Sequence, residues 1–123
     1  MQRNSSRALP VFLGALAVLG SITTYAFAHA TLVSAEPAPD SEVTALKVIQ
    51  LHFSEAFELK FSHFKLTDLD GAEVKIQPTE AKDAKTLAAM PAAPLEPGLY
   101  TVSWTTIGHD SHKRTGTFSF SVK

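Results

Sequence analysis

From residue 31 onward the chain repeats one pattern, an alternation of apolar and polar side chains with a period of two. In Val48 to Ser54, Ile49, Leu51 and Phe53 project to one side and Gln50, His52 and Ser54 to the other. Such a segment can bury one face and wet the other only as an extended strand. Phe64 to Thr67 continues the pattern, Thr86 to Met90 repeats it more weakly, and Leu99 to Ile107 sets Tyr100, Val102 and Trp104 on one face. Thr115 to Val122 does the same with Phe118, Phe120 and Val122. Turn chemistry separates these runs. Two prolines in Glu36-Pro37-Ala38-Pro39-Asp40 stop the strand that opens with Thr31-Leu32-Val33, because proline has no N–H for a ladder. Asp70-Gly71 predicts a hairpin turn returning through Glu73 to Ile76, and Pro97-Gly98 opens the long strand that follows. No stretch carries a 3.6-residue apolar stripe, although the polar segment 78–86 has room for a helical turn. About seven short strands with this punctuation predict an all-β fold, a single Greek-key β-sandwich or barrel of immunoglobulin-like type.

The N-terminus has a different character. Met1 to Arg7 is short and basic, Ala8 to Gly20 is an apolar run extended through Ile22 and Tyr25, and Ala26-Phe27-Ala28 closes it. Those are the three parts of a secretory signal, with the cut expected after Ala28. Residues 1–28 are then a cleaved signal peptide and 29–123 one domain of 95 residues, large enough for its own core. Arg3 and Arg7 leave with the signal, so nine basic residues face twelve acidic ones and the formal charge is −3. Nucleic acid is not the partner of such a surface. With no cysteine the exported domain depends on packing alone.

Cleavage makes His29 the first residue, and an N-terminal histidine offers two nitrogens, its α-amine and its ring Nδ1, which can close a chelate on a metal. Near the other end stands Gly108-His109-Asp110-Ser111-His112. Asp110 and His112 are two apart, a spacing that sends both side chains to one side of an extended segment. His29, Asp110 and His112 together give three nitrogens and one oxygen. A tetragonal set of that kind suits Cu(II), with zinc as the rival because it accepts the same ligands in a tetrahedron.

The processed chain resembles the CopC family of periplasmic copper-binding proteins. The likeness rests on His29, on Thr31-Leu32-Val33-Ser34 with its proline and acid turn, on Leu51-His52-Phe53-Ser54-Glu55 and on Phe61-Ser62. It extends through Pro97 to Trp104, Asp110-Ser111-His112, Gly116 and Phe118 to Lys123. The resemblance implies one Cu(II) per chain, held by His29, Asp110 and His112, with Glu55 close to the metal. It implies a protein without enzymatic activity that buffers or delivers copper for homeostasis and resistance. Its expected partners are the ion and an inner-membrane copper transporter, and the chain itself is expected to be a monomer. Two positions depart from the family. Ser111 stands where glycine is common, and His109 where a small polar residue is more usual; His109 is a bystander, a neighbour supporting a ligand, or a competing ligand. The methionine-rich Cu(I) site of some members is absent, since Met90 is the one methionine left after processing.

The other polar side chains have plainer readings. His52 is expected to hydrogen-bond on the polar face of its strand, His63 to be exposed beside Phe64, and Trp104 to pack in the core. Two further functions stay open: a copper-dependent monooxygenase built on an N-terminal histidine brace, and a metal-free immunoglobulin-like interaction module.

Overall fold

The structure, a computed structural model, describes residues 31–123. His29 and the expected signal and cut site lie outside the described residues, among which no helix is long and apolar enough to cross a membrane. Nine strands follow in order: β1 (Leu32–Glu36), β2 (Glu42–Val43), β3 (Ile49–Phe53), β4 (His63–Thr67), β5 (Glu73–Val74), β6 (Ile76–Pro78), β7 (Thr86–Pro91), β8 (Gly98–Ile107) and β9 (Lys113–Val122). One sheet has the order β1-β3-β7-β6 and the other β2-β9-β8-β4-β5. Every pairing is antiparallel except β2 with β9. This is the expected all-β sandwich, with more strands than the alternation predicts. The return strand expected over Glu73 to Ile76 is divided, β5 pairing with β4 and β6 crossing to the other sheet beside β7, and β2 has two residues, too few to display a period. Segment 78–86 holds no helical turn; the one 3-10 turn among the described residues is Leu59–Phe61, before β4.

The sandwich closes over the inward positions of both sheets. Ala35, Ile49, Leu51, Phe53, Leu87 and Ala89 come from the first sheet, and Phe64, Leu66, Tyr100, Val102, Phe118, Phe120 and Val122 from the second. Ile49, Leu51, Leu66, Val102 and Phe120 are wholly buried. The alternation read from the sequence is therefore the alternation that packs.

β8 and β9 pair residue for residue from Gly98↔Val122 to Ile107↔Lys113. Within that ladder Trp104 lies opposite Gly116, and its indole covers the glycine so closely that an added Cβ would sit 2.4–2.8 Å from three ring atoms. Phe53 meets the same indole edge to face, with centroids 5.0 Å apart, and Phe57 meets Phe53 in turn at 5.4 Å. Trp104 is thus packing, as expected, and it cannot swing away without leaving its contact with Phe53. Gly116→Ala should cost about 1–3 kcal/mol, the usual penalty for overpacking. Urea unfolding followed by tryptophan fluorescence measures it, and the folded-state fluorescence should shift as well because the indole must move.

Candidate metal centre

Three segments meet at one end of the sandwich. The start of the described chain is fastened to the residue after β3: the Thr31 N–H donates to Ser54 Oγ (3.0 Å), the Ser54 N–H donates to the Thr31 carbonyl (2.9 Å), and the two hydroxyls lie 3.1 Å apart. Three residues on, Phe57 forms an isolated bridge with Gly108, and the Glu58 N–H donates to the Ile107 carbonyl (2.8 Å). Ser62 completes this strap, since its hydroxyl donates to the Glu58 carbonyl (2.8 Å) and accepts the Ile107 N–H (3.0 Å). Residues 54–62 therefore tie the beginning of the described chain to the root of the β8–β9 hairpin.

The hairpin tip holds the Asp-x-His pair. The Ser111 N–H donates to the Gly108 carbonyl and the Gly108 N–H to the His112 carbonyl, both at 2.9 Å. Asp110 Oδ1 accepts the His112 N–H at 3.1 Å, and Asp110 Oδ2 lies 3.0 Å from His112 Nδ1. The two side chains do converge, but not through an extended backbone. Positions 109–111 form a tight turn, and the carboxylate folds back along it. Gly108 makes room, because a Cβ there would stand 2.6 Å from Asp110 Oδ1. Both side chains face water, His112 being 63% and Asp110 42% exposed.

Ser111 has φ +68°, in the left-handed region. The β4–β5 hairpin shows what that position ordinarily holds. There Gly71, at φ +81°, donates its N–H to the Asp68 carbonyl, the Asp68 N–H donates to the Ala72 carbonyl, and Asp68 Oδ1 accepts the N–H groups of Asp70 and Ala72. The main-chain bonds of the two loops correspond, as expected for a three-residue connection whose last residue is left-handed. Glycine accepts that conformation freely, whereas an L side chain is opposed by about 1–2 kcal/mol.

Among the other expected residues, Glu55 is exposed on the strap, between Ser54 and the Phe57 bridge. His63 is exposed. His52 Nδ1 lies 3.0 Å from Thr86 Oγ1, whose hydroxyl donates to Asp83 Oδ1 at 2.9 Å. The threonine proton is thereby used, so His52 Nδ1 carries the hydrogen and donates. His52 is the hydrogen-bonding group expected, on the outer face of the first sheet. Asp83 also accepts the Lys85 N–H (2.9 Å); that bond, and then the Thr86 hydroxyl, lower its pKa from 3.8. Burial raises the pKa of Tyr100, whose hydroxyl donates to the Glu96 carbonyl at 2.6 Å.

His109 is the surprise of the tip. Its Nδ1 lies 2.6 Å from Glu58 Oε1, with the two side chains 62% and 46% exposed. Sequence reading did not single out Glu58. It sits in an aperiodic stretch 51 residues from His109, and nothing local links the two. No three His, Cys, Asp or Glu side chains among the described residues form a metal site by themselves. Within the tip, Asp110 and His112 are the pair whose side-chain atoms come within 3.0 Å of each other.

The local geometry makes a test of its own. Ser111→Gly should raise stability by about 0.5–1 kcal/mol, the left-handed penalty less the extra freedom of glycine in the unfolded chain, and Ser111→Val should lower it by about 1–2 kcal/mol. Thermal unfolding of the metal-free protein separates the two.

Comparison with known proteins gives a consistent result. The CopC domain family model matches residues 32–123. Copper resistance protein C of Pseudomonas syringae pv. tomato is 40% identical over 109 residues, which cover 83% of this chain and 86% of that one. Protein YobA of Escherichia coli K12 is 40% identical over 114 residues, covering 89% and 92%. Among solved structures, PcoC, described as a methionine-rich copper resistance protein from Escherichia coli, superposes with a TM-score of 0.73 at 38% identity and covers 78% of this chain and all of its own. CopC from Methylosinus trichosporium OB3b gives 0.70 at 28% identity, covering 77% and 94%.

Proposed function

The chain belongs to the CopC family, and from that premise we propose that its processed form binds one Cu(II) ion through His29, Asp110 and His112 and buffers or delivers it in the periplasm. The observation that carries this reading is the 3.0 Å separation of Asp110 Oδ2 and His112 Nδ1. Two donors set at a right angle on an ion about 2 Å away stand about 3 Å apart. Carboxylate and imidazole are thus already spaced as neighbouring ligands of one metal, on an exposed tip that an ion can reach.

The remaining donors come from His29. It precedes Thr31 by two residues, a reach of at most about 7 Å. Thr31 is held on Ser54, at the start of the strap that grips the hairpin root, and this fastening supports a contribution of His29 to the tip. Copper enters as cargo. The α-amine and imidazoles must shed protons to take it up, and the carboxylate adds an anionic oxygen that favours the harder Cu(II). PcoC is described as methionine-rich, whereas this chain has Met1 and Met90 only. A soft site for Cu(I) lacks its ligands here. The same anionic oxygen argues against the monooxygenase reading, because holding Cu(II) opposes redox cycling.

Three experiments test the site. The mass of the exported protein should correspond to a start at His29. Titration should then find one Cu(II) per chain, held far more tightly than Cu(I) in chelator competition, with affinity falling steeply on acidification. His29→Ala, Asp110→Ala and His112→Ala should each weaken binding by more than the 10–100-fold typical of losing a supporting residue. One alanine added before His29 should do equal harm, since it displaces the amine and leaves the ring. Normal binding by the extended protein would remove the amine from the ligand set and overturn the reading.

A further inference from the structure

Three histidines of the described chain stand outside the proposed ligand set: His52, His63 and His109. We propose that His109 Nε2 is a second, looser Cu(II)-binding position at the hairpin tip, held ready by Glu58 and separate from the ion assigned to His29, Asp110 and His112. It is additional to the tightly held ion, and it does not depend on that ion's ligands.

The state of the ring carries this assignment. His109 Nδ1 lies 2.6 Å from Glu58 Oε1. An ionised carboxylate only accepts, so Nδ1 bears the hydrogen and the neutral ring keeps its lone pair on Nε2. No other hydrogen bond of the ring occurs among the described residues, and the side chain is 62% exposed. Nε2 is therefore available to an ion from solvent. A carboxylate behind Nδ1 is the usual support of a ligating histidine, because it fixes the tautomer and the ring orientation and strengthens the donor nitrogen.

The support is part of the fold. The Glu58 N–H is held on the Ile107 carbonyl and the Glu58 carbonyl accepts the Ser62 hydroxyl, so the carboxylate projects from a fixed base. Glu58 thereby stands opposite Ile107, just past the Phe57–Gly108 bridge, and His109 follows Ile107 by two residues. Neither of the other two histidines has this arrangement. His52 Nδ1 meets the neutral hydroxyl of Thr86, and His63 is exposed with no ion pair among the described residues. Imidazole is a good donor to Cu(II), which stands at the top of the affinity series. With one imidazole, and water for the remaining positions, the ion is held loosely and exchanges readily. Such a position, one residue from Asp110, suits uptake and hand-over beside a tighter site.

The test uses the processed protein, loaded with one and then two equivalents of Cu(II) and read by electron spin resonance. The second equivalent should add its own signal and broaden that of the first, because both ions stand at one hairpin tip. Chelator competition should strip the second ion before the first. His109→Asn should abolish the second signal and leave the first as in wild type. Glu58→Ala should weaken the second ion by about 10-fold or more, as is usual when a supporting partner is lost. Glu58→Gln, which keeps an acceptor oxygen, should weaken it less, and His63→Asn should change neither ion. A second ion that persists in His109→Asn is an adventitious ion only and overturns the proposal, as does a second ion indifferent to Glu58→Ala. Loss of the first signal in His109→Asn also overturns it, because the ring would then belong to the first ion. His112→Ala separates the two readings. If it leaves the first signal intact, the ligand assignment above falls, while a second ion lost in His109→Asn still supports the position at His109.

Discussion

Trp104 covers Gly116 because β8 and β9 are held in register over ten consecutive pairs. That ladder organises the molecule. It contributes Tyr100, Val102, Phe118, Phe120 and Val122 to the core, and Thr106 and Trp104 continue the inward face toward the hairpin tip. Phe53 packs against the indole and Phe57 against Phe53, so the strap that grips the hairpin root is seated on aromatic contacts with the ladder. A slip of one residue would turn every inward side chain to water and carry the tip to another place. The precision of the tip is inherited from burial some distance below it.

What the sequence discloses depends on how local the cause is. β3, β4, β8 and β9 were legible because burial imposes a period of two along each, and Ile49, Leu51 and Phe53 show it without ambiguity. β5 was legible through its turn, Asp70-Gly71, but the break that sends Ile76 into β6 of the other sheet was not, and β2 has two residues that carry no period and pair with β9 far along the chain. The 3-10 turn at Leu59–Phe61 was missed for a similar reason: its flanks are set by bonds to β8, and polar composition pointed to segment 78–86 instead.

At the site the same division holds. The residue types at Asp110 and His112 singled out a candidate pair, yet the geometry behind their convergence is a closed turn with a left-handed Ser111, where extended backbone had been expected. The departure of Ser111 from glycine was visible in the sequence; its meaning came from the matching loop at Asp68 to Ala72. The departure at His109 was also visible, but Glu58, whose carboxylate its ring meets, stands 51 residues away. Short-range patterns name the candidates, and only tertiary contact shows which are held and by what.

β9 follows every other strand in the chain, yet it lies inside its sheet, with β2 on one side and β8 on the other. β2 pairs with it in parallel across nearly the whole described length, Glu42 against Ser121 and Val43 against Val122. During synthesis the early strands must therefore wait for the last one to be made before the five-stranded sheet can close. Contacts of such long range also form slowly once the chain is free. The topology itself delays the compact state until the residues up to Val122 have been made.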